Sequence, residues 1–230
     1  VTLYEKNNYL GGHTNTKNKK YKDKKINVDT GFIVFNKLNY PNLLKLFDFY
    51  DVDYEKSDMS LSVSNLQNNI EWSGQSIDTI FADRYRFFDI KFLRFLIDIL
   101  RFNRTVKKNI DALSKDNQTL GNWLKNNNFS EYFKENYVLP MSAAIWSMSS
   151  NDVLNYPISN LFSFFDNHRL LHKKNLRPQW LTVSNGSKSY VDKIINSSNI
   201  NTKLNSKIFK IYTKDSKFLI TEINGEEKEY

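Results

Sequence analysis

The sequence predicts an α/β protein with a nucleotide-binding region near its start. The chain opens on a short apolar strand that ends in the acid Glu5, and the glycine pair Gly11 and Gly12 follows within seven residues. Further on, apolar stripes with the helical period alternate with short runs that have the period of a strand. Strands that alternate with helical segments are typical of the α/β class.

The first residues also indicate a chemistry. A strand that ends in an acid is how the second strand of a dinucleotide-binding βαβ unit ends, and there the carboxylate accepts hydrogen bonds from ribose hydroxyls. Paired glycines allow backbone N–H groups to approach a pyrophosphate. Asp29, Thr30 and Gly31 repeat the pattern of an acid close to a glycine. The spacing alone also fits a plain turn, so both interpretations stay open at this level.

Composition narrows the class of protein. The chain has 230 residues, of which 40% are hydrophobic and 25% charged, so it is long enough to bury a core as one large or two small domains. Its aromatic content of 15% favours large buried surfaces or flat ligands. The lack of cysteine excludes disulfides and thiolate chemistry, and with only three histidines we predict no metal site.

The formal charge of +8 has two interpretations. It indicates an anionic partner, or it reflects heavy, scattered use of Lys and Asn, which we favour. Only residues 17–25 concentrate the charge, and we expect residues 12–23 to form a polar loop. Because no aromatic interleaving or nucleic-acid motif accompanies these lysines, we predict no nucleic-acid partner.

Elements along the first half follow from periodicity. Residues 24–28 have the pattern of a short strand, and the pair Tyr40-Pro41 begins an amphipathic helix, since Pro suits the first helical turn. Alternation at residues 59–64 and 70–74 predicts two strands of an antiparallel sheet.

The segment from Phe87 to Phe102 is the most apolar helix candidate. Its polar positions are Lys91, Arg94, Asp98 and Arg101, and they form one narrow stripe. A single polar stripe on an otherwise apolar helix predicts that the helix is buried between layers. The alternatives are a monotopic membrane contact and the wall of a lipophilic substrate channel, although the two acids in the region argue against a membrane. No run of 18 uncharged apolar residues is present, so no spanning helix is predicted.

The second half alternates short helices with a final strand meander. Pro140 predicts a turn inside an apolar run, and Asn224-Gly225 predicts a hairpin. The predicted helices lie at 120–126, 130–136, 151–154, 159–165 and 188–195, and the predicted strands at 203–211, 217–223 and from 227.

Five blocks spread along most of the chain resemble one family. They are residues 1–16, 29–36 (DTGFIVFN), 139–147 (LPMSAAIWS), 164–168 (FFDNH) and 177–180 (RPQW). In this order they resemble the superfamily of FAD-dependent amine oxidases and phytoene desaturases, and more closely a bacterial branch described as predicted NAD/FAD-binding proteins. The resemblance implies a Rossmann-like FAD-binding domain with an inserted α+β substrate domain.

The resemblance also implies how the chain is divided. It assigns residues 1–56 and 177–230 to the FAD-binding domain, and residues 57–176 to the substrate-binding domain. It places the family's G-x-G-x-x-G turn before Val1 and its last strand after Tyr230. We therefore expect a truncated flavin domain that by itself binds FAD poorly and is inactive.

Site residues carried over from the family fall into three groups. His168 is the candidate catalytic residue, with a loop-holding bond to backbone carbonyls as its alternative role. Trp146 and Trp180 are candidates for the substrate pocket, with packing as their alternative role. The residues expected to bind the cofactor are Glu5, Gly11, Gly12, His13, Asp29, Thr30, Gly31 and Ile208.

The implied activity is that of an FAD-dependent oxidoreductase. It would transfer hydride from an amine, or from a lipophilic substrate of the lipid or polyene type, to bound FAD. We expect a cytoplasmic protein, with peripheral membrane contact as an open question. The alternative is a non-catalytic peripheral membrane-binding module that uses the segment from Phe87 to Phe102.

Overall fold

The computed structural model describes residues 1–172, 174–215 and 217–229. It divides into two compact units. Val1–Ser57 and Gln179–Tyr230 form the first, which we call the split unit, and Asp58–Pro178 form the second, which we call the helical unit.

Strands are concentrated in the split unit. They are β1 (Thr2–Tyr4), β2 (Thr16–Tyr21), β3 (Lys24–Asp29), β4 (Phe35–Asn36), β5 (Tyr54–Ser57), β6 (Ser62–Asn65), β7 (Ile70–Ser73), β8 (Trp180–Val183), β9 (Asn201–Lys203), β10 (Ile208–Lys214), β11 (Lys217–Glu222) and β12 (Glu227–Glu229).

Helices are concentrated in the helical unit. They are α1 (Pro41–Phe49), α2 (Ile77–Ile80), α3 (Ile90–Lys108), α4 (Ile110–Leu113), α5 (Leu120–Asn126), α6 (Glu131–Phe133), α7 (Leu139–Trp146), α8 (Ser150–Asn155), α9 (Ile158–Asn167) and α10 (Lys188–Ser197). Arg84–Phe88 and Lys174–Leu176 are 3₁₀ turns, and Lys134–Val138 is a π-helical turn.

Four small sheets make up the split unit. β1 pairs in parallel with β9, so that Thr2 lies opposite Asn201. The other three sheets are antiparallel: the hairpin β2–β3, the sheet β4–β8–β5 and the meander β10–β11–β12. The Asn-Gly hairpin is confirmed between β11 and β12, where Gly225 N–H donates to the carbonyl of Glu222.

The predicted polar loop at residues 12–23 is wrong. Residues 16–21 form β2, which pairs with β3 from Thr16 opposite Asp29 to Tyr21 opposite Lys24. The strand is nearly all lysine, asparagine and threonine, so it carries no apolar alternation from which it could be recognised. The predicted strand at 203–211 also differs, because a turn separates β9 from β10.

The helical unit has an aromatic core. Phe102 is fully buried, and its ring lies 5.5–6.1 Å from five other rings, those of Trp123, Phe129, Phe133, Tyr137 and Phe162. The predicted strands at 59–64 and 70–74 are present as the hairpin β6–β7.

Pro140 does not turn the chain, contrary to the prediction. α6, the π-helical turn and α7 follow one another without a break, and Pro140 lies in the first turn of α7. Because Pro has no N–H, the carbonyl four residues earlier, that of Asn136, loses its usual helical donor. Trp72 Nε1–H donates to that carbonyl instead, at 3.1 Å.

α3 is not buried between layers, contrary to the prediction. One face is buried, with Phe92, Phe95 and Phe102 at 0% exposure, whereas the opposite face is open to solvent. Asp98 was expected on a wet stripe but is buried, since it accepts hydrogen bonds from Arg101 and Ser130. Within the described residues, no helix combines the length and the apolar character needed to cross a bilayer.

Candidate functional site

Glu5 lies directly after β1, at the carboxyl end of a parallel strand pair. Its N–H donates to the carbonyl of Lys203 at 2.9 Å, which continues the pairing of β1 with β9. Its Oε1 accepts a hydrogen bond from the N–H of Asn7 at 2.7 Å, whereas no bond to Oε2 is found in the described part of the chain. The carboxylate is therefore held in place with one oxygen available for a ligand hydroxyl.

The segment before Ile208 is bonded to the Glu5 loop. Asn205 N–H donates to the carbonyl of Asn7, and Ser206 N–H donates to the carbonyl of Glu5, both at 2.9 Å. Ile208 then opens β10 two residues later. The structure thus brings Glu5 and Ile208, two of the predicted cofactor-binding residues, onto adjoining segments although they lie far apart in the sequence.

The two glycines after β1, Gly11 and Gly12, are needed for different structural reasons. Gly11 has φ +109°, and a Cβ there would lie 2.5 Å from the carbonyl oxygen of Thr14, so the turn itself demands glycine. Gly12 has φ +57°, but a Cβ there would meet nothing within 4 Å. Gly12 is therefore favoured by its positive φ and not by a close neighbour.

Gly31 is required by backbone packing. A Cβ at Gly31 would lie 1.9 Å from the carbonyl oxygen of His13, and Phe32 N–H donates to that same oxygen. The His13 side chain is exposed. The predicted residues at 11–13 and 29–31 thus belong to two segments in direct contact.

Asp29 joins three segments of the split unit. Its carboxylate accepts hydrogen bonds from Ser187 N–H at 3.0 Å, Ser187 Oγ–H at 2.9 Å and Thr16 Oγ1–H at 2.5 Å. Thr30 Oγ1–H donates to the carbonyl of Asn15. Both side chains are therefore engaged in hydrogen bonds within the protein.

Sequence reasoning missed the residues that fasten these segments. Thr14 Oγ1 and the Tyr190 hydroxyl lie 2.6 Å apart, and Ser187 holds Asp29. These partners are separated by 176 and 158 positions along the chain. No local pattern marks such a pair, because each residue alone is an ordinary polar side chain on a helix or loop.

His168 and Trp146 meet through a third ring in the helical unit. The Trp146 ring centroid lies 4.7 Å from that of Phe164, which stacks on His168 with centroids 4.0 Å apart. His168 Nδ1 lies 3.1 Å from the carbonyl oxygen of Phe164. Trp180 belongs to the split unit, where it pairs with Asn36 and Ser57.

Two other groups near this part of the helical unit have shifted pKa values. Burial lowers the pKa of His172, and the positive charge of Lys107 acts in the same direction. Its Nδ1 is buried and has no hydrogen-bond partner among the residues that the structure describes. Burial also raises the pKa of Tyr137. His172 was not predicted as a site residue from the sequence, because its lowered pKa results from burial, which only the structure shows. Among the described residues, no cluster of His, Asp and Glu could hold a metal ion.

The fold is that of an α/β protein in which Glu5 lies at the end of a parallel strand pair. The chain belongs to the family of flavin-containing amine oxidoreductases, whose model matches residues 1–230. This confirms the resemblance found in the sequence, and FAD is the cofactor that membership implies. No curated protein sequence matches the chain.

Solved structures confirm the fold. Cyclohexylamine oxidase from Brevibacterium oxydans IH-35A is similar with a TM-score of 0.69 at 13% identity, over 98% of this chain and 50% of that one. Wild-type putrescine oxidase bound to putrescine has a TM-score of 0.65 at 11% identity, over 98% and 50%. A fatty acid isomerase from P. acnes that produces CLA has a TM-score of 0.52 at 10% identity, over 99% and 50%. The chain spans about half the length of the structures it matches.

Proposed function

We propose that the protein is an FAD-dependent oxidoreductase that removes hydride from an amine or from a lipophilic substrate. The observation that carries the proposal is the Glu5 carboxylate, fixed through Oε1 at the end of β1 and followed by Gly12, where a Cβ would meet nothing within 4 Å. These residues fit the adenosine ribose and the pyrophosphate of a dinucleotide. When bound, FAD supplies the group that accepts the hydride.

In this proposal the split unit holds the cofactor. Glu5 accepts hydrogen bonds from the ribose hydroxyls, and Gly12 gives the pyrophosphate access to backbone N–H groups. The loop that carries these residues is positioned by Gly11, Asp29, Thr30 and Gly31. His13 and Ile208 complete the set, and the main chain at Ile208 faces the adenine.

The helical unit would bind the substrate. The stacked rings of Trp146, Phe164 and His168 support a binding wall for a substrate with an apolar body. His168 is the candidate catalytic residue of this wall. Trp180 belongs to the split unit, and its part in the substrate pocket stays a prediction from the sequence. An amine and a purely lipophilic substrate remain the two candidate classes.

FAD binding tests the cofactor proposal. In the protein expressed from its natural reading frame, Glu5→Ala should weaken FAD binding by about 10- to 100-fold, since a hydrogen bond to a charged group is worth roughly 1.5–3 kcal/mol. Glu55→Ala, an exposed acid on β5, is the matched control and should leave the Kd unchanged. Equal affinity in all three proteins would remove Glu5 from the cofactor site.

Flavin reduction tests the substrate class. Under anaerobic conditions, loss of the oxidised flavin absorbance is followed after addition of aliphatic amines, unsaturated fatty acids or polyenes. Bleaching by amines alone would establish the amine oxidase activity, and bleaching by fatty acids or polyenes alone would establish the lipophilic class. A flavin that no compound of either class reduces would contradict the proposal.

A further inference from the structure

The solvent-facing side of α3 is apolar. Four aliphatic side chains recur at three- and four-residue spacing, which places them on one helical face. Their exposed fractions are high for such residues: Ile90 82%, Leu93 37%, Ile97 63% and Leu100 71%. Phe88, in the turn just before the helix, is 89% exposed. From Ile90 to Leu100 the stripe is about 15 Å long at 1.5 Å per residue.

The same side of the molecule is strongly basic. Four exposed cations lie along α3 on this side: Arg94, Arg104, Lys107 and Lys108. Lys91 is not counted with them, because its ammonium lies 4.4 Å from the ring centroid of Tyr132. Asp98 is the one acid between residues 90 and 108, all of which the structure describes, and it is buried against Arg101 and Ser130. We call this exposed apolar and basic surface the α3 outer face.

Asp89, just before the helix, does not offset these charges. Its carboxylate caps α3 by accepting from the N–H groups of Lys91 and Phe92, and it pairs with Arg86 at 2.7 Å. Asp89 and Asp98 are the two acids that argued against a membrane contact in the sequence. Both form hydrogen bonds or ion pairs within the helical unit. The outer face carries apolar groups and positive charge together.

We propose that the α3 outer face docks on the surface of a bilayer that contains anionic lipid. Exposed aliphatic side chains flanked by lysine and arginine allow a helix to lie in the plane of the interface, where the aliphatic groups enter the acyl boundary. The cations meet the anionic headgroups. Docking of this kind requires no spanning helix and is separate from the redox chemistry of the protein.

A second copy of the chain fits this face less well. In a symmetric dimer the same surface patch meets itself, so the cations of one α3 would lie against those of the other. Like charges brought together in this way oppose association. An anionic lipid surface is the occupant that satisfies both the apolar stripe and the charge.

Vesicle co-sedimentation of the full chain without added flavin tests the proposal. Binding to vesicles of phosphatidylcholine with phosphatidylserine, and little binding to phosphatidylcholine alone, is the expected result. The double variant Ile97→Glu/Leu100→Glu should bind at least about 10-fold more weakly. Leu66→Glu, on the turn between β6 and β7 where the side chain is 90% exposed, is the matched control and should bind as the wild type does.

Charge and insertion are measured separately. Arg94→Gln and Arg104→Gln should each weaken binding by about 5-fold, and salt should weaken binding further. Because the chain has no cysteine, a fluorophore on Leu100→Cys gives a site-specific report, and its emission should shift to the blue on anionic vesicles.

Three outcomes would overturn the proposal. They are equal binding to neutral and anionic vesicles, an unshifted fluorophore, and a dimer in solution that Ile97→Glu/Leu100→Glu dissociates. Since none of these measurements needs bound flavin, failure here leaves the cofactor proposal standing. Failure of Glu5→Ala to affect FAD likewise leaves the membrane proposal standing.

Discussion

The two units of this protein are stabilised in different ways. The helical unit has a continuous core of 23 buried hydrophobic residues, many of them aromatic, whereas the described core of the split unit has five: Phe35, Phe47, Val52, Leu181 and Val183. Burial of apolar area is the main source of folding free energy. The helical unit is therefore the more robust part of the chain.

Polar links take a larger share in the split unit. Side-chain hydrogen bonds connect segments that are far apart in the sequence, such as Thr14 with Tyr190 and Tyr50 with Ser198. Each such bond contributes only about 0.5–1.5 kcal/mol. The unit that carries the proposed cofactor residues is thus the one whose stability depends most on individual polar contacts, and a bound dinucleotide would add to it.

The largest expected effect is in the aromatic core. Phe102→Ala should destabilise the helical unit by about 3–5 kcal/mol, because it leaves a cavity among five rings. Urea unfolding followed by hydrogen exchange of peptides from residues 58–178 measures it. Phe88→Ala, which removes an exposed ring, is the control. Equal stability of the two variants would refute the view that this core holds the unit together.

A smaller effect is expected in the split unit. Gly31→Ala places a methyl group 1.9 Å from the carbonyl oxygen of His13, a backbone atom that cannot rotate away. Such overpacking costs about 1–3 kcal/mol. Faster hydrogen exchange should be confined to peptides of the split unit. Gly74→Ala is the control, since a methyl group there makes only an ordinary contact with Trp72; matching exchange in both variants would contradict the assigned role of Gly31.

The smallest effect is a pH dependence in the helical unit. Burial lowers the pKa of His172 in the folded protein below its ordinary value of 6.5, so the unfolded chain takes up the proton more readily. The stability that this histidine contributes is present above pH 6.5 and is lost as the pH falls through that value. His172→Gln should flatten the wild-type decline in melting temperature, and parallel curves for the two proteins would argue against it.

Periodicity predicted those elements whose pattern is set by local chemistry. The helix that begins at Pro41 and the Asn224-Gly225 turn are confirmed, because Pro at the first helical turn and Asn-Gly in a tight turn are each favoured by their own backbone preferences. β2 was not predicted, because a strand of mostly lysine, asparagine and threonine has no apolar alternation. The prediction that α3 is buried between layers was wrong, because an apolar sequence does not show how many faces of the helix pack against other elements.

The sequence by itself determined the family and the order of its blocks, and it pointed to Glu5 and the glycines, because strand ends and glycine pairs are local signals. Only the tertiary structure decided what each residue does there. Gly31 is required by the approach of another backbone, Asp29 is used by Thr16 and Ser187, and Asp98 is withdrawn from the outer face of α3. These roles depend on partners distant in the chain, and such contacts exist only once the chain has folded.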